Sequence, residues 1–218
     1  MGVRSGAVQG LPLIVYVDLL GVFIGALSGA LVACRKHDFD YVGVAALALC
    51  SGVGGGLLRD TFLQQGPPLA LRGHGYLLAC GMGATIGFFY GRQIVESRVT
   101  KFITWIDAIT LGNFAVAGTV LAHNAGLSWP ACILIGVINA SGGGIVRDTL
   151  AGDRVGLFIR GELYATAAAA GAAVVLLTER FFPDVAAGLL GWAVAVGVRA
   201  LSILFGWKAP LPRGQVTD

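Results

Sequence analysis

The sequence predicts an all-α polytopic membrane protein of seven transmembrane helices, an inverted three-plus-three helix repeat with a seventh helix added. Three observations lead there. The 218 residues are 56% hydrophobic and only 12% charged, about half the charged share of an ordinary soluble domain. Mean hydropathy is +0.79, and several apolar runs reach about 20 residues, the length that crosses a bilayer. Finally, the stretch Ser51-Gly-Val-Gly-Gly-Gly-Leu-Leu-Arg-Asp-Thr61 returns as Ser141-Gly-Gly-Gly-Ile-Val-Arg-Asp-Thr149. A soluble α/β core is excluded, because too few polar residues remain to cover its surface.

The spans follow in order, within one transmembrane domain over residues 1–218. The first runs over about 11–33 and stops at Arg35-Lys36-His37-Asp38. The second, about 41–63, carries the first glycine triplet, and Pro67-Pro68 follows it, since proline lacks an amide and restricts the residue before it. The third covers about 71–91, with a polar linker over 92–101. The fourth covers about 102–123. The fifth, about 129–150, opens on Trp129-Pro130, with proline well placed in a first turn, and carries the second triplet. The sixth, about 158–177, is alanine-rich, and Phe181-Phe182-Pro183 separates it from the seventh, about 185–206. Residues 1–9 are short and mildly polar, so no cleavable signal peptide is expected, and Gly6 stands where a myristoylation signal wants Ser or Thr.

A shift of 88 positions lays Gly54–Gly56 on Gly142–Gly144, Arg59-Asp60 on Arg147-Asp148, and Tyr76 on Tyr164. A shift of 89 lays Asp18 on Asp107. Repeat one is thus about 11–91 and repeat two about 102–180. A unit with an odd number of spans re-enters the membrane in the opposite sense, so the halves form an inverted pair about an axis in the membrane plane. Basic residues agree. Arg35, Lys36, Arg92, Arg98, Lys101, Arg154, Arg160, Lys208 and Arg213 fall on one side, against Arg4, Arg72 and Arg180 on the other. This places the C-terminus in the cytoplasm and the N-terminus outside. The small net charge of +3 lies in loops and points to phospholipid headgroups rather than nucleic acid.

The chemistry-bearing residues gather at the two repeated stretches. Glycine triplets weaken a helix. Gly54, Gly55, Gly56 and Gly142, Gly143, Gly144 are therefore expected to break or unwind it, freeing carbonyls toward a wet lumen that Ser51, Ser141, Thr61 and Thr149 line. The bland alternative is close packing of helix backbones. Charges inside a membrane mark pathways. Neighbours in sequence diverge on a helix, so Arg59 and Arg147 are expected to pair across the repeats with Asp148 and Asp60. Asp18 and Asp107 balance charge, and Arg199, which has no repeat mate, is expected to find Asp60 or Asp148. Cys34, Cys50, Cys80 and Cys132 include no C-x-x-C and read as small buried hydrophobes. No metal cluster, cofactor fingerprint or enzymatic constellation appears, so no cofactor and no enzyme is expected.

Seven spans, a three-plus-three repeat and a doubled Gly-Gly-Gly-x-x-Arg-Asp motif resemble the trimeric intracellular cation (TRIC) channels, specifically their prokaryotic branch. The resemblance covers about residues 10–206. It implies a homotrimer in the prokaryotic inner membrane. Each protomer would hold a potassium-permeable pore bounded by the second and fifth spans, kinked at the triplets. Animal members carry a Lys-Glu-Val signature in the second kink, tied to phosphoinositides. Here Ile145-Val146-Arg147-Asp148 follows Gly144, so generic phospholipid contact is the expectation. Inverted repeats with broken helices are as typical of carriers as of channels, which leaves a secondary carrier for a small solute such as glycine as the alternative.

Overall fold

Five runs long and apolar enough to cross a membrane, Asp18–Arg35, Tyr41–Leu63, Thr104–Asn124, Trp129–Leu150 and Asp184–Phe205, each fold as helix. The structure, a computed structural model, describes residues 12–36, 39–96, 99–158 and 163–208. These form α1 (Pro12–Lys36), α2 (Tyr41–Leu63), α3 (Leu69–Arg72), α4 (His74–Glu96), α5 (Val99–Asn124), α6 (Trp129–Leu150), α7 (Ala165–Thr178) and α8 (Asp184–Phe205). Arg4, Arg98, Arg160 and Arg213, used in the charge comparison, lie outside the described residues.

The third and sixth predicted spans come out differently. The third divides at Gly73, whose extended backbone (φ −134°, ψ 142°) separates the short α3 from α4. α4 has 23 residues, but Gly75, Gly81, Gly83, Gly87 and Gly91 dilute its hydropathy. α7 has 14 residues, about 21 Å of helix at 1.5 Å per residue and short of a ~30 Å hydrocarbon core.

Local chemistry sets the helix ends. Asp40 caps α2 by accepting the Gly43 N–H at 2.8 Å. α2 stops where Gln64 turns left-handed (φ 51°) and returns its N–H to the Asp60 carbonyl at 3.0 Å. Pro130 occupies the first turn of α6, as the sequence indicated.

Small residues let the helices approach. On α4, Gly83, Gly87 and Gly91 sit against Ala26, Ala30 and Cys34 of α1, a four-residue ladder on both partners. Gly171 and Gly191 join α7 to α8 reciprocally: a Cβ on either would stand 2.6 or 2.7 Å from the other's carbonyl oxygen. Gly29 of α1 lies on the Leu47 carbonyl of α2, and its repeat mate Gly118 of α5 lies on the Ile135 carbonyl of α6. The buried side chains are correspondingly small, Ala26, Ala30, Ala115, Ala167 and Ala172 among them. Phe62, Leu78, Phe89, Leu134, Leu177 and Leu204 are exposed, a perimeter suited to lipid.

Pairings recur between α1, α2, α4 and α5, α6, α7, with α2 against α6 and α1 against α5 joining the two sets. α8 packs on α5 and α7.

Candidate functional site: a charged cavity at the α2–α6 crossing

α2 and α6 cross at the glycine triplets, and the triplets divide into two kinds of position. A Cβ on Gly55 would collide with the Asn139 carbonyl oxygen, and one on Gly143 with the Ser51 carbonyl oxygen. Gly54 and Gly142 are similar: their Cβ atoms would stand 3.2 Å from Gly143 Cα and 3.1 Å from Gly55 Cα. Ser51 and Asn139 are themselves repeat mates, so these contacts are one contact made twice. The third glycine differs. A Cβ on Gly56 or Gly144 would meet nothing nearer than the Nη2 of Arg59 or Arg147, at 3.8 Å in each case.

The expected unwinding is not what forms. Both helices run without interruption through their triplets. The neighbouring backbone takes the space that side chains would fill, and an intact helix keeps every amide bonded where no water can replace the bond. Four of the six glycines therefore serve close packing, and Gly56 and Gly144 face open space.

That space is a cavity of about 580 Å³. Gly56 and Gly144 line it, with Ser51, Ser141, Gly55 and Gly143. So do three guanidinium groups, Arg59, Arg147 and Arg199, and three carboxylates, Asp18, Asp107 and Asp148. Thr61 and Thr149 do not. Both are exposed and return their hydroxyls to the carbonyls of Leu57 and Ile145 at 2.8 Å. This corrects the expectation that they face the lumen: they lie beyond the crossing, on the outer faces of α2 and α6.

The Arg–Asp pairs also correct an expectation. Arg59 Nε donates to Asp60 Oδ1 at 2.7 Å, and Arg147 Nη2 lies 2.7 Å from Asp148 Oδ1. Each Arg pairs with its own neighbour, not across the repeats. An arginine stem is long enough to fold back along the helix to the adjacent acid. The second oxygen of each acid is held by a backbone amide: Leu69 N–H at the start of α3 at 2.8 Å for Asp60, Gly156 N–H at 3.0 Å for Asp148. The guanidinium groups do cross between repeats, but to neutral groups. Arg59 Nη1 reaches Asn139 Oδ1 at 3.5 Å, and Arg147 Nη1 reaches Ser28 Oγ at 3.0 Å. Asp60 lines a smaller cavity of about 190 Å³ beside Arg72 and Gln65.

Asp18 and Asp107 each acquire a tyrosine. Tyr76 O–H donates to Asp18 Oδ2 at 2.6 Å, and Tyr164 O–H to Asp107 Oδ1 at 3.4 Å. The repeat register pairs these tyrosines, which was the signal for their role; distance along the chain hid it. Ser28, Thr104 and Phe114 also line the cavity, and nothing in the sequence marked them. Arg199 lies with its guanidinium carbon 5.0 Å above the Tyr164 ring, the ring whose hydroxyl bonds Asp107. Its expected partners, Asp60 and Asp148, sit on backbone amides and their own arginines instead. Among the described residues no group of three or more His, Cys, Asp or Glu side chains could hold a metal ion. The cysteines are free thiols, with Cys80 and Cys132 buried, Cys50 half-buried and Cys34 exposed.

Comparison with known proteins follows the same lines. The family model described as "Glycine transporter" matches residues 15–92 and again 104–180, one match per repeat. A UPF0126 membrane protein of Deinococcus radiodurans is 40% identical over 170 residues, covering 77% of this chain and 78% of that protein. The UPF0126 membrane protein YvgT of Bacillus subtilis is 33% identical over 203 residues, covering 89% and 94%. Among solved structures, a TRIC cation channel superposes with a TM-score of 0.86 at 28% identity, over 93% of this chain and 98% of its own. The TRIC orthologue from Rhodobacter sphaeroides gives 0.79 at 35% identity, over 90% and 100%. Matched along both repeats and superposed over nearly its whole length, this chain belongs to the UPF0126 membrane proteins, within the prokaryotic branch of the TRIC family.

Proposed function

We propose that this protein is a cation channel of the prokaryotic inner membrane, permeable to potassium. Its path runs inside each protomer, through the cavity at the α2–α6 crossing. One observation carries the reading: a polar cavity with balanced acids and guanidinium groups stands inside a bundle whose perimeter is apolar. Ionisable groups at that depth are expensive and are kept for pathways. The likeness to a TRIC cation channel along 93% of the chain supports it. Inverted threading of the repeats, three protomers per assembly, an outer N-terminus, a cytoplasmic C-terminus and phospholipid contact belong to the same proposal. Gly56 and Gly144 keep the cavity open beside Arg59 and Arg147, which narrow it and act as the gate. Recording purified protein in planar bilayers with potassium on one side and sodium on the other tests this. Discrete current steps with a cation-selective reversal potential are expected, and a silent bilayer overturns it. In liposomes, Arg147→Ala and Asp148→Ala are expected to change potassium flux; unchanged flux in both removes their assigned roles.

A second reading has its own observation. The matching family model is described as a glycine transporter, and a cavity carrying both guanidinium groups and carboxylates suits a zwitterion. Saturable glycine uptake with counterflow, and no current steps, would favour that carrier.

A further inference from the structure

The two Asp–Tyr pairs are repeat mates, yet their electrical surroundings differ. In a perfect repeat, Asp18 with Tyr76 and Asp107 with Tyr164 would be equivalent. α8 has no mate, so Arg199 enters one half only. The residue is 7% exposed, its guanidinium lies over the Tyr164 ring, and it lines the cavity. Asp107 has Arg199 and Arg147 as charged neighbours, and since Arg147 is itself paired with Asp148 at 2.7 Å, Arg199 is the cation that the other half lacks. The charged neighbours of Asp18 are Arg59 and Asp60, the two members of one ion pair 2.7 Å apart, whose fields largely cancel at a distance. The negative charge of Asp107 is thus answered from within the protein, and that of Asp18 is left facing the cavity.

We propose that the cavity is electrically lopsided: Asp18, positioned by Tyr76, is the carboxylate that binds the permeating monovalent cation, and Arg199 keeps Asp107 from sharing that role. This rests on the channel reading above. A cation gives up hydration on entering the cavity and needs an anionic oxygen whose charge is not already matched. Asp18 meets that need: the Tyr76 hydroxyl holds its Oδ2, and the carboxylate lines the cavity. Tyr76 acts as a positioning residue, fixing the carboxylate without touching the ion.

The test is single-channel recording of the full-length protein in a potassium chloride gradient, on Asp18→Asn and Asp107→Asn, each alone and with Arg199→Gln. In the otherwise native chain, Asp18→Asn is expected to lower potassium conductance about tenfold and to weaken cation-over-anion selectivity, with Asp107→Asn costing at most about twofold. With Arg199→Gln the two losses should converge, and Arg199→Lys, which keeps the charge, should restore their difference. Tyr76→Phe keeps the ring and serves if Asp18→Asn fails to fold. It is expected to lower conductance about threefold while the protein stays folded in detergent. Equal losses for the two acids in the native background overturn the proposal while the channel stands. A difference that survives Arg199→Gln overturns the part given to Arg199. Absence of current in the unsubstituted protein instead defeats the channel reading itself.

Discussion

The two repeats share a plan and differ in what fills it. In both, the middle glycine of the triplet lies on a carbonyl of the other repeat, the Arg–Asp pair closes on itself, and an acid on the first helix takes a tyrosine, from α4 in repeat one and from the start of α7 in repeat two. The fill differs at matched positions. Gly25 of α1 corresponds to Phe114 of α5, and the Phe114 ring packs against Gly21. Bulk in repeat two is accommodated by a missing side chain in repeat one. Ser51 corresponds to Asn139, whose amide donates to the Phe114 carbonyl at 2.7 Å while its oxygen faces Arg59. Among the described elements, α8 leans on α5 and α7 of repeat two. Geometry that holds the bundle together is thus duplicated, while the surroundings of the cavity-facing groups are not. Substitutions at the duplicated backbone contacts should therefore cost the same in either repeat, and substitutions of the groups facing the cavity should not.

The largest effect should come from the crossing itself. Gly55→Val and Gly143→Val each push a branched side chain into a backbone carbonyl that has nowhere to go. Overpacking of this kind costs about 1–3 kcal/mol even where neighbours can shift; here the neighbour is main chain, and ~3 kcal/mol or more is expected for both. Loss of the folded, monodisperse protein on size exclusion in detergent measures it. If one variant folds normally and the other does not, the crossing is not symmetric and the duplicated-contact argument breaks.

The Arg–Asp pairs should come next and should already show a difference. Breaking a buried pair leaves an acid facing low dielectric and costs about 3–5 kcal/mol when burial is complete. The Arg59 side chain is 8% exposed and that of Arg147 is 20% exposed. Arg59→Gln is expected to lose ~3 kcal/mol and Arg147→Gln ~1–2 kcal/mol, with solvent screening the second. Thermal unfolding in detergent, read by circular dichroism, gives the order. A larger loss for Arg147→Gln would mean that its bond to Ser28 outweighs burial.

Much of this was legible in the sequence, and the failures have one cause. Helix 41–63, helix 129–150 and the register relating them follow from apolar length and the doubled motif, because both are properties of adjacent residues. The cavity charges Asp18, Asp107, Arg59 and Arg147 were named on the same basis. Side-chain direction was not legible. Arg59 and Asp60 diverge as Cβ vectors, yet the guanidinium reaches back to 2.7 Å. Thr61 and Thr149 sit near the motif but on its outer faces. The triplets signal either a broken helix or a close crossing, and only the position of the opposite helix decides between them. Tyr76 was visible through the repeat, but its partner lies 58 positions away.

The tyrosines sharpen the comparison at a smaller scale. Tyr76→Phe removes a 2.6 Å bond to a carboxylate and Tyr164→Phe a 3.4 Å one. Bonds to charged groups contribute about 1.5–3 kcal/mol when short, and the long one less than ~0.5 kcal/mol. Tyr76→Phe should therefore leave the larger mark on the local environment of Asp18. Infrared difference spectra of the carboxylate stretch, with the Asp18→Asn variant for assignment, are expected to shift for Tyr76→Phe and stay nearly unmoved for Tyr164→Phe.

The smallest effect should come from the residue next to the largest. Gly56 and Gly144 adjoin Gly55 and Gly143, yet a methyl group there meets only a guanidinium nitrogen at 3.8 Å. Alanine favours helix over glycine by about 1 kcal/mol, so Gly56→Ala and Gly144→Ala should each stabilise the fold slightly, by ~0.5–1 kcal/mol, and raise the unfolding temperature. The same methyl group stands in the cavity beside Arg59 or Arg147, so conductance should fall while stability rises. That opposition separates the two uses of the triplet. If Gly56→Ala destabilises as Gly55→Val does, all three glycines serve packing and the cavity owes nothing to the third.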